Sequence, residues 1–266
     1  MKHVVQFSGG GGSWAAAKRV AAKYGTEDMV LLFCDTLIED ADLYRFLDEA
    51  AANVGAPLVK IADGRTPFDV YRDTRFLGNS RVAKCSYFLK QKVADDWVTA
   101  NCDPTSLCRY IGIDWSEENR FHGDGKKQRG FKARMAEAGW KCEAPLLDPP
   151  YLTKSDILVW MKSEGLKPPL MYEQGFAHNN CGGRCCKAGQ GHWSQMLKVR
   201  PIEFAQSERE ENEIRAMLGD VSMLKDRAGG EAKVLTLATL RERLEAGMQP
   251  DIFEIGGCGC FTEDAA

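Results

Sequence analysis

A glycine-rich segment near the N-terminus has the residue types of a phosphate-binding loop. It follows an apolar run at residues 4–7 and precedes an alanine-rich segment that ends at Gly25. Glycine has no Cβ atom, so the backbone N–H groups can close around an oxyanion at the start of the next helix, and flanking serines add hydroxyl donors. The loop residues are Ser8, Gly9, Gly10, Gly11, Gly12 and Ser13. The pattern predicts a strand, an anion-binding turn and a helix, with a flexible glycine turn as the alternative.

Cysteines are the second group of residues that could do chemistry. We expect a cytoplasmic protein without a membrane partner, because the sequence has no signal-peptide pattern and no apolar run of membrane length. Disulfides rarely persist in that compartment, so clustered cysteines point to metal binding or thiol chemistry. Of the ten cysteines, Cys34, Cys102, Cys108 and Cys142 have the character of small core or incidental residues. The others are Cys85, Cys181, Cys185, Cys186, Cys258 and Cys260.

The composition fits one large domain with a small appendage. The apolar fraction of 44% and the charged fraction of 27% are ordinary for a soluble enzyme. A net charge of −3 gives no general argument for nucleic-acid binding, so such a surface would have to be local. The basic segment at residues 126–134 could bind phosphates of a nucleotide or an RNA, and a solvated face is its alternative interpretation.

Apolar runs and helical patterns alternate through the first half of the chain. Strands are predicted at residues 4–7, 29–34, 58–61 and 109–113, with helices after the first two and from Cys85 through Trp97. This βαβ order predicts an α/β, Rossmann-like α/β/α sandwich with a mostly parallel sheet and right-handed crossovers. Residues 63–84, which are rich in Arg, Asp and Gly, are expected to be less regular.

Asp35 and Thr36 stand at the carboxyl end of the second predicted strand, where open parallel sheets bind ligands. Asp35 could contact a ribose hydroxyl or a magnesium ion, or it could cap the following helix. Farther along, prolines exclude an α-helix at residues 144–150, and helices are expected after Thr153, at residues 207–218 and at residues 235–244. We predict a nucleotide-binding domain at residues 1–175 and a Cys-bearing, mainly helical region at residues 176–266.

The order of these motifs resembles the phosphoadenosine phosphosulfate (PAPS) reductase family of the adenine nucleotide α-hydrolase-like superfamily. The glycine loop is similar to the family's pyrophosphate loop, and Asp35-Thr36 is similar to its strand-end Asp-Thr pair. Cys85 with Lys90, and Gly112 with Arg120, have counterparts in the family's later motifs. The run at residues 170–175, followed by Cys181, is similar to its Leu-Tyr-x-x-Gly-(x)-Cys segment.

More narrowly, the sequence is similar to uncharacterised PAPS-reductase-like proteins of phages and bacteria. The segment at residues 180–190 and the tail at residues 257–261 carry this resemblance. The Glu-Cys-Gly-Ile/Leu-His tail of true PAPS reductases is altered here, since Gly257 precedes Cys258 and Cys260-Phe261 replaces the last two residues. The Asp of the ATP pyrophosphatase loop is replaced by Gly12.

The resemblance implies an enzyme that binds PAPS, adenylylsulfate or ATP. The residues implied to bind this nucleotide are Ser8, Gly9, Gly10, Gly11, Gly12, Ser13, Asp35, Thr36, Lys90, Gly112 and Arg120. In one form of the chemistry, Cys258 or Cys260 attacks a sulfonate, sulfite is released and a thioredoxin-like protein supplies reductant. In the other, the enzyme splits ATP at the α-phosphate with magnesium and adenylates an acceptor, which could be a nucleic acid. A non-enzymatic nucleotide-binding redox module is a third hypothesis.

Relatives in this family that reduce adenylylsulfate hold a four-iron cluster between two cysteine segments. By that resemblance Cys85, Cys181 and Cys185 are expected ligands of a 4Fe-4S cluster, with Cys186, Cys258 or Cys260 as the fourth. A four-Cys zinc site and a redox dithiol of Cys258 and Cys260 are the alternatives.

Overall fold

The computed structural model describes residues 1–79, 82–125, 129–227 and 231–251. At its centre is a five-stranded parallel sheet with the order β3-β2-β1-β4-β5. The strands are β1 (Lys2–Gln6), β2 (Met29–Asp35), β3 (Leu58–Ala62), β4 (Leu107–Tyr110) and β5 (Lys141–Glu143). The predicted α/β, Rossmann-like sheet is confirmed.

Helices cover both faces of the sheet, because its central strands are apolar on both sides. Val5 and Leu31 face one buried cluster, which contains side chains of three helices, α1, α2 and α8. Val4 and Leu32 face the other, together with side chains of α5 and α7. The helices up to this point of the chain are α1 (Gly11–Tyr24), α2 (Ala41–Val54), α3 (Pro67–Thr74), α4 (Lys84–Ser86), α5 (Val93–Asn101), α6 (Glu118–His122), α7 (Phe131–Glu137) and α8 (Lys154–Ser163).

The glycine run itself begins the first helix. Gly10 is the N-cap in extended conformation, and Gly11 and Gly12 form the first turn of α1. The sequence predicted a glycine turn followed by an alanine-rich helix, and glycine is a poor helix former. The start at Gly11 places the N–H groups of the first turn, which have no partner within the helix, directly at the sheet edge.

The structure defines two regions that the sequence left open. Residues 63–84 are not wholly irregular, because α3 lies within them, and Thr66 and Asp69 form a reciprocal capping box around Pro67 at its start. The helix after Asp35 is capped by Asp40, whose side chain accepts from the Asp42 N–H, so Asp35 does not serve as its N-cap.

The helix that follows Cys85 contains a π-helical segment. Residues Tyr87–Lys92 form this segment between α4 and α5. It carries Lys90 on one side of the helix and Gln91 on the other, where they line different pockets. Wider π turns in a helix are frequently found at functional sites.

The C-terminal region is mainly helical, as predicted, and packs against α3. Its elements are α9 (Leu170–Glu173), α10 (Gln190–Val199), α11 (Pro201–Leu218), β6 (Leu224–Asp226), β7 (Lys233–Leu235) and α12 (Leu237–Glu245). Phe68 and Tyr71 of α3 share a buried cluster with Trp193 and Phe204. Arg72 of α3 also donates to Glu210 and Glu213 of α11.

Thr153 caps α8 through a capping box with Asp156. The proline-rich stretch at residues 144–150 forms one short 3₁₀ turn, Pro145–Leu147. The helices predicted at residues 207–218 and 235–244 are confirmed, the first beginning earlier at Pro201 and the second running Leu237–Glu245. In the four described ranges, no helix combines the length and the apolar character needed to cross a bilayer.

Candidate functional site

A cleft of about 590 Å³ opens at the carboxyl edge of the sheet, beside the ends of β1 and β4. Open parallel sheets bind ligands at this edge, where the strand order changes direction. The N-terminus of α1 forms one wall, and the segments after β4 and before α10 form others. Predicted nucleotide-binding residues that line the cleft are Ser8, Gly10, Gly11, Gly12, Ser13, Lys90, Gly112 and Arg120.

Local hydrogen bonds hold the glycine loop in shape. The Ser13 hydroxyl donates to the Gly10 carbonyl at 2.8 Å, and the Ser8 hydroxyl lies 3.4 Å from the Ser13 oxygen. The Gly11 N–H donates to the Tyr172 hydroxyl at 3.1 Å. A hydroxyl oxygen therefore sits where the helix N-terminus would receive an anionic oxygen.

Gly112 is needed because two backbones meet in the cleft. A Cβ atom on Gly112 would lie 2.7 Å from the Gly12 carbonyl group and from the Ser13 nitrogen. A Cβ atom on Gly12 would lie 3.0 Å from the Gly112 carbonyl oxygen. Neither contact can be relieved by rotating a side chain, so the two glycines set the width of this end of the cleft.

Asn179 fixes the other side of the loop. Its amide nitrogen donates to the Gly9 carbonyl at 2.9 Å, and Gly9 has a φ of 77°, which a residue with a side chain rarely adopts. Asn179 is buried, and its Oδ1 atom has no hydrogen-bond partner among the described residues. Because Asn179 lines the cleft, this oxygen is available to a ligand donor.

Gln6 is a further polar residue that lines the cleft. It is the last residue of β1 and is 3% exposed. Both its amide oxygen and its amide nitrogen lack partners in the part of the chain that the structure describes. An unsatisfied buried amide costs folding free energy, so a ligand or ordered water is expected to satisfy it.

Three cationic side chains line the cleft. Lys90 is 4% exposed, and Arg120 donates to Glu117. Lys154, the first residue of α8, donates to the Ala177 carbonyl, and its Nζ lies 4.4 Å from the centre of the Tyr172 ring. Burial lowers the pKa of Lys154, because the charged form is poorly solvated there. A bound anion would compensate this cost.

Asp35 and Thr36 lie beside the cleft and are not among the residues that line it. The Asp35 carboxylate accepts from the Tyr44 hydroxyl at 2.9 and 3.0 Å and from the Leu37 N–H at 2.8 Å. Thr36 donates to Glu39 at 2.9 Å and lies 4.0 Å from the Cys181 sulfur. Their contact with a nucleotide stays a prediction.

A small pocket next to the cleft brings together four of the cysteines singled out in the sequence. Cys85 comes from α4, and the others come from the loop before α10. Lys90 lines this pocket as well as the cleft. The cysteines are Cys85, Cys181, Cys185 and Cys186.

Cationic residues line the pocket, although its exposed surface is mainly apolar and three of its cysteines belong to a buried hydrophobic cluster. Lys90, Arg184 and Lys187 line it with the thiols. The Tyr71 oxygen lies 3.2 Å from the Cys85 sulfur, and the Ser86 hydroxyl is buried without a hydrogen-bond partner in the described ranges. Positive groups near thiols favour the thiolate, which is the form that binds metals.

Glu39 lies beside the pocket and contacts two residues that line it, Thr36 and Cys181. Its carboxylate accepts from Thr36 and from the Cys181 N–H. Burial raises the pKa of Glu39, while the charge of Lys90 and these hydrogen bonds oppose that rise. The Cys181 backbone has a φ of 55°, and two glycines in the same region of φ follow it, so the chain turns sharply between this thiol and Cys185.

The donor set suits an iron–sulfur cluster, because soft thiolates from two separate segments line one pocket. Among the residues that the structure describes, no three His, Cys, Asp or Glu side chains are grouped to hold a single metal ion. Cys258 and Cys260 lie outside the described residues. Ligation by any of the six cysteines therefore stays a prediction.

The polar residues of the cleft that sequence reasoning did not assign to the site include Gln6, Lys154, Tyr172 and Asn179. Gln6 interrupts an apolar strand, which is a usable signal, since a polar residue at the end of a buried strand often faces a ligand. Tyr172 was noted only as part of a family-like segment. Lys154 and Asn179 have no distinctive spacing, and only the folded chain reveals them.

No protein-family model matches the chain, and no curated protein matches its sequence. A solved structure with a similar backbone is the phosphoadenylyl-sulfate (PAPS) reductase from Candida auris in a phosphate complex. The two chains are 12% identical, the match covers 66% of this chain and 79% of that chain, and the TM-score is 0.43.

Proposed function

We propose that this protein is a PAPS-reductase-like enzyme that binds an adenine nucleotide in the cleft and acts at its phosphate or sulfate end. The observation that carries the proposal is the N-terminus of α1, where the glycine loop meets Gly112 and lines the same cleft as Lys90, Lys154 and Arg120. Backbone N–H groups and three cations together suit a polyanionic group.

The four cysteines beside the cleft support a redox or cluster-bearing enzyme over a simple nucleotide-binding protein. Cys85, Cys181 and Cys185, with one further cysteine, are the proposed holders of a 4Fe-4S cluster. A cluster held by four thiolates would carry a net negative charge, and Lys90, which lines both the pocket and the cleft, would offset part of it. Because Lys90 lines both the cleft and the cysteine pocket, a change of charge in either would alter the electrostatic potential at its ammonium group.

In the proposed reaction, the thiolate of Cys258 or Cys260 attacks the sulfur of a nucleotide-bound sulfonate. The S–O bond breaks, and the nucleotide leaves as a phosphate while the cysteine carries the sulfonate. A second thiol then attacks the cysteine sulfur, so that sulfite departs with two electrons and a disulfide forms. A dithiol protein of the thioredoxin kind would reduce that disulfide. Residues of the cleft bind the leaving phosphate and exclude water in this scheme.

The test uses protein purified without oxygen and incubated with PAPS and reduced thioredoxin, or with ATP and magnesium. Release of sulfite with adenosine 3′,5′-bisphosphate supports the reductase proposal. AMP and pyrophosphate from ATP would replace it with an adenylating enzyme that transfers sulfur or an amine. Tight nucleotide binding without any product would support a non-enzymatic redox module.

A further inference from the structure

A second pocket, of about 250 Å³, lies on the sheet face that carries α5 and α7. Three arginines line it: Arg109 of β4, Arg129 and Arg134. Its lining residues and those of the nucleotide cleft do not overlap within the described ranges. It is therefore a separate site.

Arg109 is the floor of this pocket and is incompletely paired. Its side chain is only 2% exposed, and one terminal nitrogen contacts the Asp95 carboxylate. The Nε atom is buried and has no hydrogen-bond partner in the described part of the chain. A buried guanidinium has five N–H donors and is costly to leave partly unsatisfied. An anion in the pocket would complete its hydrogen bonds.

Arg129 and Arg134 form the rim of the pocket. The Arg134 guanidinium donates to the Gln91 side-chain oxygen at 3.1 Å and lies 5.6 Å from the centre of the Phe131 ring, so it is held over the pocket. Arg129 is paired with Glu137, and both side chains are more than half exposed. Such a surface pair is weak and can open for a ligand.

We propose that this pocket binds a phosphate group. Three guanidinium groups face two carboxylates, Asp95 and Glu137, which leaves a positive excess. Guanidinium groups recognise phosphate through paired, planar hydrogen bonds. The volume is below the usual range for whole ligands, so the pocket suits one anionic group of a larger molecule.

The phosphate can come from a free nucleotide or from the backbone of a nucleic-acid strand. Tyr87 lines the same pocket and is partly exposed, which gives a base a surface for stacking. Arg109 precedes Gly112 by three residues of one extended segment, about 10 Å. A strand held in the pocket would thus lie close to the cleft. The inference does not depend on the proposed reaction.

The test follows arginine Nε–Hε resonances by NMR while the full chain is titrated with inorganic phosphate, AMP or a short oligothymidylate. Arg129→Gln and Arg134→Gln assign the rim signals, and Arg209→Gln, an exposed arginine of α11, is the control with the same charge change. We expect the Arg109 and Arg134 signals to shift, and Arg134→Gln to weaken binding about tenfold while Arg209→Gln has no effect.

The probes distinguish the two sources of the phosphate, a nucleic-acid strand and a free nucleotide. If a nucleic-acid strand is the ligand, oligothymidylate binds most tightly and Arg134→Gln reduces the slope of log K against log salt by about one. If a free nucleotide is the ligand, AMP binds at least as tightly as the oligonucleotide. Pocket signals that do not move with any probe, or equal affinities of the Arg134→Gln and Arg209→Gln variants, would overturn the proposal.

Discussion

The backbone of Gly112 lies against the backbone of Gly12, so closely that a Cβ atom on Gly112 would come within 2.7 Å of the Gly12 carbonyl. This contact joins the segment after β4 to the first turn of α1. It fixes the direction in which the N–H groups of that turn point and the width of this end of the cleft.

Replacement of Gly112 by alanine should therefore push the glycine loop away. We expect a loss of about 1–3 kcal/mol in the free energy of unfolding and weaker nucleotide binding. Gly10→Ala is the comparison, because its Cβ would meet a movable side-chain oxygen, that of Tyr172, at 3.2 Å. Urea unfolding of both variants measures the difference. A Gly112→Ala protein as stable as the Gly10→Ala protein would contradict the packing argument.

Lys154 should bind the anionic part of the nucleotide. Lys154→Met is expected to lower affinity about 10-fold to 100-fold with little loss of stability, because the side chain is exposed and the pKa of its ammonium group is already lowered. A bound anion raises the lowered pKa, so binding takes up a proton and affinity falls as the pH rises above the pKa of the free protein. Calorimetric titration from neutral to alkaline pH measures this fall. Lys154→Arg, which stays charged, should show no such fall, and an equal fall in both proteins would exclude Lys154 as its source.

Gln6 offers a test in which binding and stability change in opposite directions. Gln6→Leu removes a buried amide whose two polar atoms lack partners in the described residues, so the free energy of unfolding should stay the same or rise. Nucleotide affinity should fall about tenfold if the amide contacts the ligand. The nucleotide affinity of Gln6→Glu should be lower still, because its carboxylate would repel an anionic ligand. Unchanged affinity in Gln6→Leu would show that water alone satisfies the amide.

From the cysteine pocket we predict an iron–sulfur cluster with a defined set of cysteine ligands. Anaerobically purified protein should contain iron and acid-labile sulfide, and Cys85→Ser or Cys185→Ser should lose both. Cys102→Ser is the matched control, because Cys102 is a half-buried cysteine that does not line the pocket. Zinc without sulfide, lost in the same variants, would establish a zinc site. Full iron and sulfide in Cys185→Ser would remove that residue from the ligand set.

Glu211 ties the C-terminal elements to α11. Its buried carboxylate accepts from the Met223 N–H at 2.9 Å and from the Leu237 N–H at 2.7 Å. Burial raises its pKa in the folded state, so the stability that it contributes is present below the unfolded pKa and is lost as the pH rises through the folded pKa. Glu211→Gln cannot accept both bonds and should cost about 1–3 kcal/mol, with the difference from wild type shrinking as pH rises.

Urea unfolding between mildly acidic and neutral pH measures this effect. Glu213→Gln, an exposed glutamate of the same helix, should change stability little at any pH. A pH-independent difference between Glu211→Gln and wild type would contradict the raised pKa.

The sheet and the glycine loop could be predicted because their signals are local. The buried strands are continuous apolar runs, and four adjacent glycines have few structural explanations. The helix at Pro67–Thr74 also has a local signal, Thr66 with Asp69, which was outweighed by the polar composition around it. The positions of Gln6 and Lys154 in the cleft depend on contacts between distant segments, which the sequence alone does not show. The convergence of Cys85 with Cys181 was expected only by resemblance to a family.

The π-helical segment at Tyr87–Lys92 has one consequence for how this chain can vary in length. A π turn accommodates about one residue more than an α turn of the same rise. Deletion of one residue there would restore regular α geometry and rotate the helical residues just before it, including Cys85, by about 100° around the helix axis relative to those after it. Cys85 would then turn away from Cys181 while the sheet and its core stayed intact. The number of residues in this turn, more than their identity, keeps the thiols facing one another.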